Sequence, residues 1–415
     1  MRVGYGKLGR TLELSDDKWG VAGGDNEPAA LLLRLAEKHP SVTWVVVGRN
    51  SGWEPPLPNI ENPWQDWLPQ IKASSKSMKT DPVAVYDSLT FETYESLDEI
   101  VMWIGQHCPA NSPIPRVDDR STLVTPYESA IAYGSHVCRG INRWQDRSGR
   151  QDRSGKEPVW LIADPRNYLK ARDLKWPRTK PILGQFDFVR NEKCEHGDRV
   201  LPSRDQYVYS GLELSGIRPP TPLSVQRDWS ERDRFGAIIN ECRNYGIPTH
   251  LTRLDALKRY ILPLKPSWIH GSWTDNSLAD AGVDIKPIEY QLVDSKMQST
   301  LCTLTTPASG SGWATAKPWE CFANHVVCFF HPYYDTQGHI IPTLNQLDDP
   351  SIPGDSKTLA KWLRVSGPDE LKLRVDAVSR SRQVYKTLVE LQYELLTSAL
   401  KDLKHVRMIE ERIGL

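Results

Sequence analysis

The chain has 415 residues, with 52 basic and 52 acidic side chains and a formal net charge of zero. Domains mostly run to about 100–200 residues, so this length points to two of them. Apolar residues at 39% and charged residues at 25% exclude wholesale disorder, and the charge balance excludes a uniformly basic nucleic-acid binder. The 15 Trp equal the Tyr and are about twice the 7 Phe. Trp serves cores, sugar platforms and interfaces, and the core is the commonest of these uses. The seven Cys are scattered without a CxxC pair, as suits reduced thiols. Cys194-Glu195-His196 has no second ligand pair at zinc spacing, so no metal site is expected. The opening MRVGYGKLGR has no apolar stretch or cleavage site, and the apolar runs are far short of the roughly 18 residues of a membrane span. A cytoplasmic protein with no membrane contact is therefore expected.

In chain order, Val3–Leu8 predicts a strand and Glu27–His39 a helix, with Ala29, Leu32, Leu33, Leu35 and Ala36 at helical period. Thr43–Val47 is an apolar, β-branched run of the kind found in buried parallel strands. Val83–Tyr86 and Ile100–Ile104 predict further strands, Tyr127–Trp144 a helix and Val159–Ile162 a strand. The repeat Gln145–Gly149 and Gln151–Gly155 reads as a polar surface loop, and Ser215–Pro222 as a Pro-rich linker. The alternation then restarts. Phe235–Asn240, Trp268–His270, Leu301–Leu304 and Val326–Phe330 predict strands, and Leu254–Leu264 a helix. The tail from Pro368 to about Ile413 is helical, with an apolar stripe at Leu388, Leu391, Leu395 and Leu396. Strands alternating with helices imply an α/β class with parallel sheets, whose ligands sit beyond the carboxyl ends of the strands.

Several motifs carry candidate chemistry. Gly23-Gly24-Asp25-Asn26 opens the first helix, either as a close main-chain approach to a phosphate or as a simple N-cap turn. The run Thr305–Glu320 is the strongest. A strand enters a Gly/Ser loop holding Ser309, Gly310, Gly312, Trp313 and Thr315, then Lys317 and Glu320 on a helix. Loop N–H groups and Lys317 suit a diphosphate, and the Glu320 carboxylate suits a ribose diol. An exposed Lys and Glu on an ordinary loop is the plain alternative. Arg243 and His331 follow predicted strands and are weighed as diphosphate ligands against surface side chains. His107, in the loop Gly105–Asn111, and Asp87 are candidate general bases, with Asp25 a lesser one. From Arg139 to Lys180 there are 12 Lys and Arg against 5 Asp and Glu, with Trp144, Trp160 and Trp176 interleaved. Such a segment can track a polyanion, with Arg139, Arg143, Arg147, Arg150 and Arg153 on phosphates, or be a solvated loop compensated elsewhere.

These residues together resemble a GT-B glycosyltransferase. The resemblance rests on the Gly23-Gly24 loop, Arg243, and the segment Gly312–Glu320 followed by Val326-Val327. More narrowly, Arg2–Gly9, Gly105–Asn111 and Gly312–Glu320 are similar to bacteriophage glycosyltransferases that modify hydroxymethylated pyrimidines in DNA. The resemblance implies two Rossmann-like domains facing a central cleft, an acceptor domain over 1–217 and a donor domain over 223–375. Residues 376–415 would be helices returning to the first. It implies a nucleoside-diphosphate sugar, most simply a UDP-sugar, as co-substrate, with Glu320 on the ribose and Arg243 and Lys317 on the diphosphate. The retaining branch of the family has a second Glu where this chain has Trp313, which leaves the stereochemistry open. No metal is required for chemistry in this family. The implied acceptor is hydroxymethylated double-stranded DNA, and the implied state a monomer, in the host cytoplasm if phage-encoded. The alternatives are a small-molecule or glycan acceptor, or a nucleotide-sugar binding or epimerase-like protein.

Overall fold

The computed structural model describes residues 1–8, 27–47, 55–63, 92–104, 158–162, 182–184, 207–208, 227–240, 252–273, 285–289, 292–306, 317–335 and 361–415, with residues 144, 212, 278, 340 and 341. The strands are β1 (Arg2–Leu8), β2 (Thr43–Val47), β3 (Ile60–Glu61), β4 (Glu99–Ile104), β5 (Val159–Ile162), β6 (Ile182–Gly184), β7 (Tyr207–Val208), β8 (Asp233–Ile238), β9 (Trp268–His270), β10 (Thr300–Thr305) and β11 (Val327–Phe330). The helices are α1 (Glu27–Lys38), α2 (Arg253–Ala256), α3 (Val293–Gln298), α4 (Lys317–Ala323), α5 (Pro368–Arg380), α6 (Arg382–Lys401) and α7 (Lys404–Ile413). The chain divides into two compact units, one of Met1–Phe186, Asp198–Gly216 and Leu403–Leu415, the other of Asp187–Gly197 and Ile217–Asp402. Among the described residues no helix is long and apolar enough to cross a membrane.

The sheet of the first unit runs β3-β2-β1-β4-β5-β6-β7, every described pairing parallel. Its centre is fully apolar. Val3, Tyr5, Trp44, Val45, Val46, Val47, Ile100, Val101 and Met102 are buried, which explains the β-branched runs that predict these strands. α1 covers β1 and β2 with Leu31, Leu32, Leu35 and Ala36. α7 packs on α1, β5 and β6. Its Glu410 accepts from Lys38 Nζ at 2.9 Å and from His39 Nε2 at 2.6 Å. Burial alone would raise the Glu410 pKa, but those two bonds outweigh it and hold the carboxyl below its ordinary value. Gly414 ends the helix in the left-handed conformation that glycine tolerates.

The sheet of the second unit runs β11-β10-β8-β9, again parallel. The exposed edge of β11 is covered by a side chain. Gln392 of α6 is fully buried, its Nε2 donates to Val326 O at 2.9 Å and its Oε1 accepts from Cys328 N at 3.0 Å. The amide thus stands in for the next strand of the ladder. At the other edge, β9 lies against β8 because Gly236 leaves room for the Trp268 ring, and a Cβ there would lie 2.2 Å from it. The stretch 254–264 is helical as the sequence predicts, but unevenly wound. α2 passes into a π-turn over Leu257–Ile261 and a 3-10 turn over Leu262–Leu264. Pro263 has no N–H to continue the regular ladder. The tail is three helices, with Leu388 and Leu396 of the apolar stripe buried.

Candidate functional site

In an open parallel sheet the ligand crevice lies beyond the carboxyl ends of strands, where the strand order reverses. In the second unit that place is between β8 and β10. The two strands pair at Thr300↔Asp233 and Cys302↔Phe235, and no ladder pair joins their carboxyl ends among the described residues. Into this split comes the first residue of α4. Lys317 Nζ donates to Ile238 O at 2.6 Å and to Leu304 O at 3.4 Å. The residue keeps some surface exposed, but its ammonium lies in the interior. Burial pulls its pKa below the usual lysine value. The nearby Arg253 charge adds to this, while Cys321, Cys328 and Glu320 oppose it.

Arg253 is the second cation. Thr252 caps α2, its Oγ1 accepting from Asp255 N at 3.1 Å, and so fixes the residue that follows it. Arg253 Nη1 donates to Asn240 O at 3.0 Å, two residues past β8. Asn240 is exposed, and its Oδ1 accepts from Ser272 N at 3.0 Å. Trp273 Nε1 donates to Ile239 O at 2.6 Å. Gly271 permits this close seam, since a Cβ there would lie 1.9 Å from Ile239 O. Lys317 thus lies in the split between β8 and β10, and Arg253 lies just past the carboxyl end of β8 on the side of β9; two cations near one strand end suit a ligand with clustered negative charge. Glu320 sits one turn into α4, half-buried, where its carbonyl accepts from Asn324 Nδ2 at 3.0 Å.

His331 follows β11 directly. Its N–H donates to Thr305 O at 3.1 Å, so it lies at the carboxyl end of β10. Its Nδ1 accepts from Tyr333 N at 3.3 Å, which places the proton of the neutral ring on Nε2. The ring packs against Tyr260 with centroids 4.6 Å apart. The turn that follows is held from beneath. Fully buried Asp335 adopts a left-handed φ of 49° and accepts from Ile340 N, Ile341 N and Arg364 Nη2 through Oδ2. Arg364 also donates to Tyr334 O and Ile341 O and lies 5.7 Å over the Phe330 ring.

Of the residues singled out from the sequence, Lys317, Glu320 and His331 fall on this edge of one sheet. Gly23, Gly24, Asp25, Asp87, His107, Arg139, Arg143, Arg147, Arg150, Arg153, Arg243, Ser309, Gly310, Gly312, Trp313 and Thr315 lie outside the described residues. Two tryptophans near the candidate segments belong to cores. Trp144 is 2% exposed and its Nε1 donates to Leu97 O at 3.1 Å. Trp319 is 3% exposed and meets Phe322 edge-on. Cys302, Cys321 and Cys328 are buried free thiols. No group of three or more His, Cys, Asp or Glu is arranged to hold a metal among the described residues. A groove of about 690 Å³ in the first unit, lined by Arg2, Leu57, Glu61, Thr93 and Ser96, begins at the amino end of β1, away from the carboxyl edge. Arg253, Asn240 and Trp273 escape the sequence reading. The available signals were the Thr252 cap and the Gly-Ser-Trp run after a short strand.

No protein-family model and no curated protein matches the chain. Solved structures do. A mutant of the T4 phage BGT in complex with UDP-glucose has a TM-score of 0.50 at 10% identity over 100% of both chains. The chain shares the fold of a phage glucosyltransferase. T4 phage beta-glucosyltransferase itself gives 0.47 at 9% identity over 100% of both chains. An alpha-glucosyltransferase in complex with UDP-glucose and DNA containing an abasic site gives 0.48 at 10% identity over 95% of each chain. The likeness is one of fold, an α/β arrangement with parallel sheets.

Proposed function

We propose that the protein is a GT-B glycosyltransferase that moves a sugar from a nucleoside-diphosphate sugar, most simply a UDP-sugar, to the hydroxyl of a hydroxymethylated pyrimidine in DNA. The observation that carries this reading is the pair of cations at the carboxyl end of β8, Arg253 on Asn240 O and Lys317 between Ile238 O and Leu304 O. A diphosphate leaving group needs its developing charge stabilised, and fixed cations in a low-dielectric crevice do this well. Glu320, one turn into α4, is the candidate for the ribose hydroxyls. Arg243, the loop residues Ser309, Gly310, Gly312, Trp313 and Thr315, and Gly23 and Gly24 are the further donor-binding candidates on this reading.

In the reaction the acceptor hydroxyl oxygen bonds to the anomeric carbon as the bond from that carbon to the diphosphate oxygen breaks. The electron pair leaves with the diphosphate. If the configuration inverts, the hydroxyl proton goes to His107 or Asp87, with Asp25 the third candidate. The target base must leave the helical stack, at a cost of a few kcal/mol. The basic segment Arg139–Lys180 would hold phosphates, and affinity would then fall steeply with salt.

The test is incubation with hydroxymethylated duplex DNA and a panel of UDP-sugars, followed by nucleoside mass measurement, with and without a chelator. A mass gain of one sugar is expected, undiminished by the chelator. No gain with any donor refutes the DNA acceptor. Turnover of the UDP-sugar without an acceptor would instead indicate an epimerase-like activity.

A further inference from the structure

Lys317 has a bonding pattern that a simple phosphate ligand does not need. Two of its ammonium bonds go to main-chain carbonyls, one on each of the strands that part at the reversal point. Ile238 is the last residue of β8, and Leu304 is next to last in β10. The ladder between these strands has already ended, its last pair being Cys302↔Phe235. β10 is buried along its whole length and Ile238 is half-buried, so the ammonium supplies a donor at a strand end that water reaches poorly. Arg253 is placed differently. It starts α2 and donates to the carbonyl of the exposed Asn240 at the rim.

We propose that Lys317 is a positioning residue, a clasp that bridges the parted ends of β8 and β10 and fixes the width of the donor crevice, while Arg253 at the rim meets the anion. The proposal rests on the reading that the crevice takes a nucleoside-diphosphate sugar. The ammonium is faced by Arg253 from α2, by Glu320 and Cys321 from α4 and by Cys328 from β11. It reaches the two carbonyls because Lys317 begins its helix, so the long side chain can extend back over the sheet edge. An Arg at the rim and a Lys in the seam therefore divide the work: one recognises the ligand, the other holds the recognising surface in shape.

The experiment compares Lys317→Met and Arg253→Met with the wild-type protein in two measurements. The first is amide hydrogen exchange of the ligand-free protein over residues 236–240 and 302–306. The second is the affinity of the folded protein for UDP by calorimetry. Lys317→Met is expected to speed exchange in both segments about tenfold, a local loosening equal to the loss of one net hydrogen bond, and to weaken UDP about tenfold. Arg253→Met is expected to weaken UDP with exchange at the wild-type rate. Wild-type exchange in Lys317→Met with UDP binding lost would overturn the clasp and make Lys317 a direct ligand. Faster exchange with unaltered UDP affinity would overturn its positioning role. A wild-type protein that ignores UDP would overturn the donor reading, while the exchange arm would still report the clasp. Should Lys317→Met fail to fold, ¹⁵N NMR of the wild-type ammonium decides the matter. A protected signal in the ligand-free protein supports the clasp, and a signal protected only after UDP is added overturns it.

Discussion

Both sheets reverse their strand order, but they are held together at that point in different ways. In the first, β1 and β4 pair without a break from Val3↔Glu99 to Leu8↔Ile104, at the very ends of both strands. Val3, Tyr5, Ile100, Val101 and Met102 of these strands are buried and apolar. In the second, the ladder between β8 and β10 stops early and buried polar groups take over. Lys317 spans the split, Arg364 and Asp335 pin the turn after β11, and Arg232 ties Thr300, Asn324 and His325 together through their carbonyls. A sheet whose ladder ends early must satisfy the freed main-chain groups by side chains. Removing one partner from such a site costs more than trimming an apolar core evenly.

The largest effect is expected at the buried ion pair. Arg364→Met leaves Asp335 buried with its cation gone, and the second unit should lose about 3–5 kcal/mol, measured by denaturant unfolding. A loss below ~1 kcal/mol would mean that the turn stands without the pair. Asp335 sits in a left-handed conformation that favours glycine or asparagine, so its carboxylate, not its backbone preference, is the reason to expect an effect.

Acid should act on the same sheet. His325 is 1% exposed, its two ring nitrogens make no hydrogen bond, and it faces Arg232, Tyr385 and Tyr393. Burial first, and Arg232 second, lower its pKa from 6.5 to about 4. The unfolded chain therefore takes up the proton first. Stability is untouched above pH 6.5, falls as pH drops towards 4, and loses up to ~3 kcal/mol there. His325→Asn, which tolerates the left-handed φ of 54° at this position, should flatten that limb. An identical limb in the variant would assign the acid sensitivity to other groups.

The smallest effect is expected in the first unit. Glu410→Gln weakens the contacts to Lys38 and His39 at the end of α1, on side chains that are partly exposed. A loss of about 1 kcal/mol, seen as faster amide exchange in α7, is expected. A loss as large as that of Arg364→Met would erase the contrast between the sheets.

Most of the long elements were legible in the sequence, for physical reasons. β2 and β5 match the predicted ranges; β2 is buried on both faces, and such a strand is a short run of β-branched and aromatic residues. α1 and the tail helices show the period of a one-sided apolar face. The two- and three-residue strands β3, β6 and β7 have too few residues to show any period, and α3 has no side-chain cap to announce it. In the candidate site, Lys317, Glu320 and His331 stood out because they follow strands or a Gly-rich loop. The bonds of Lys317 did not, since only the early end of the β8–β10 ladder creates carbonyls for it to meet. Arg253 follows its strand by more than a dozen residues, so chain distance hid it although Asn240 brings it back to the strand end.

The central claim is that the donor sits at the parted edge of the second sheet. Amide exchange of the wild-type protein with and without UDP-glucose tests this most directly. The account predicts protection at residues 236–240, 270–273 and 302–306, with no change in β1, β2 or α7. Protection confined to the first sheet, or none anywhere at saturating UDP-glucose, would contradict it.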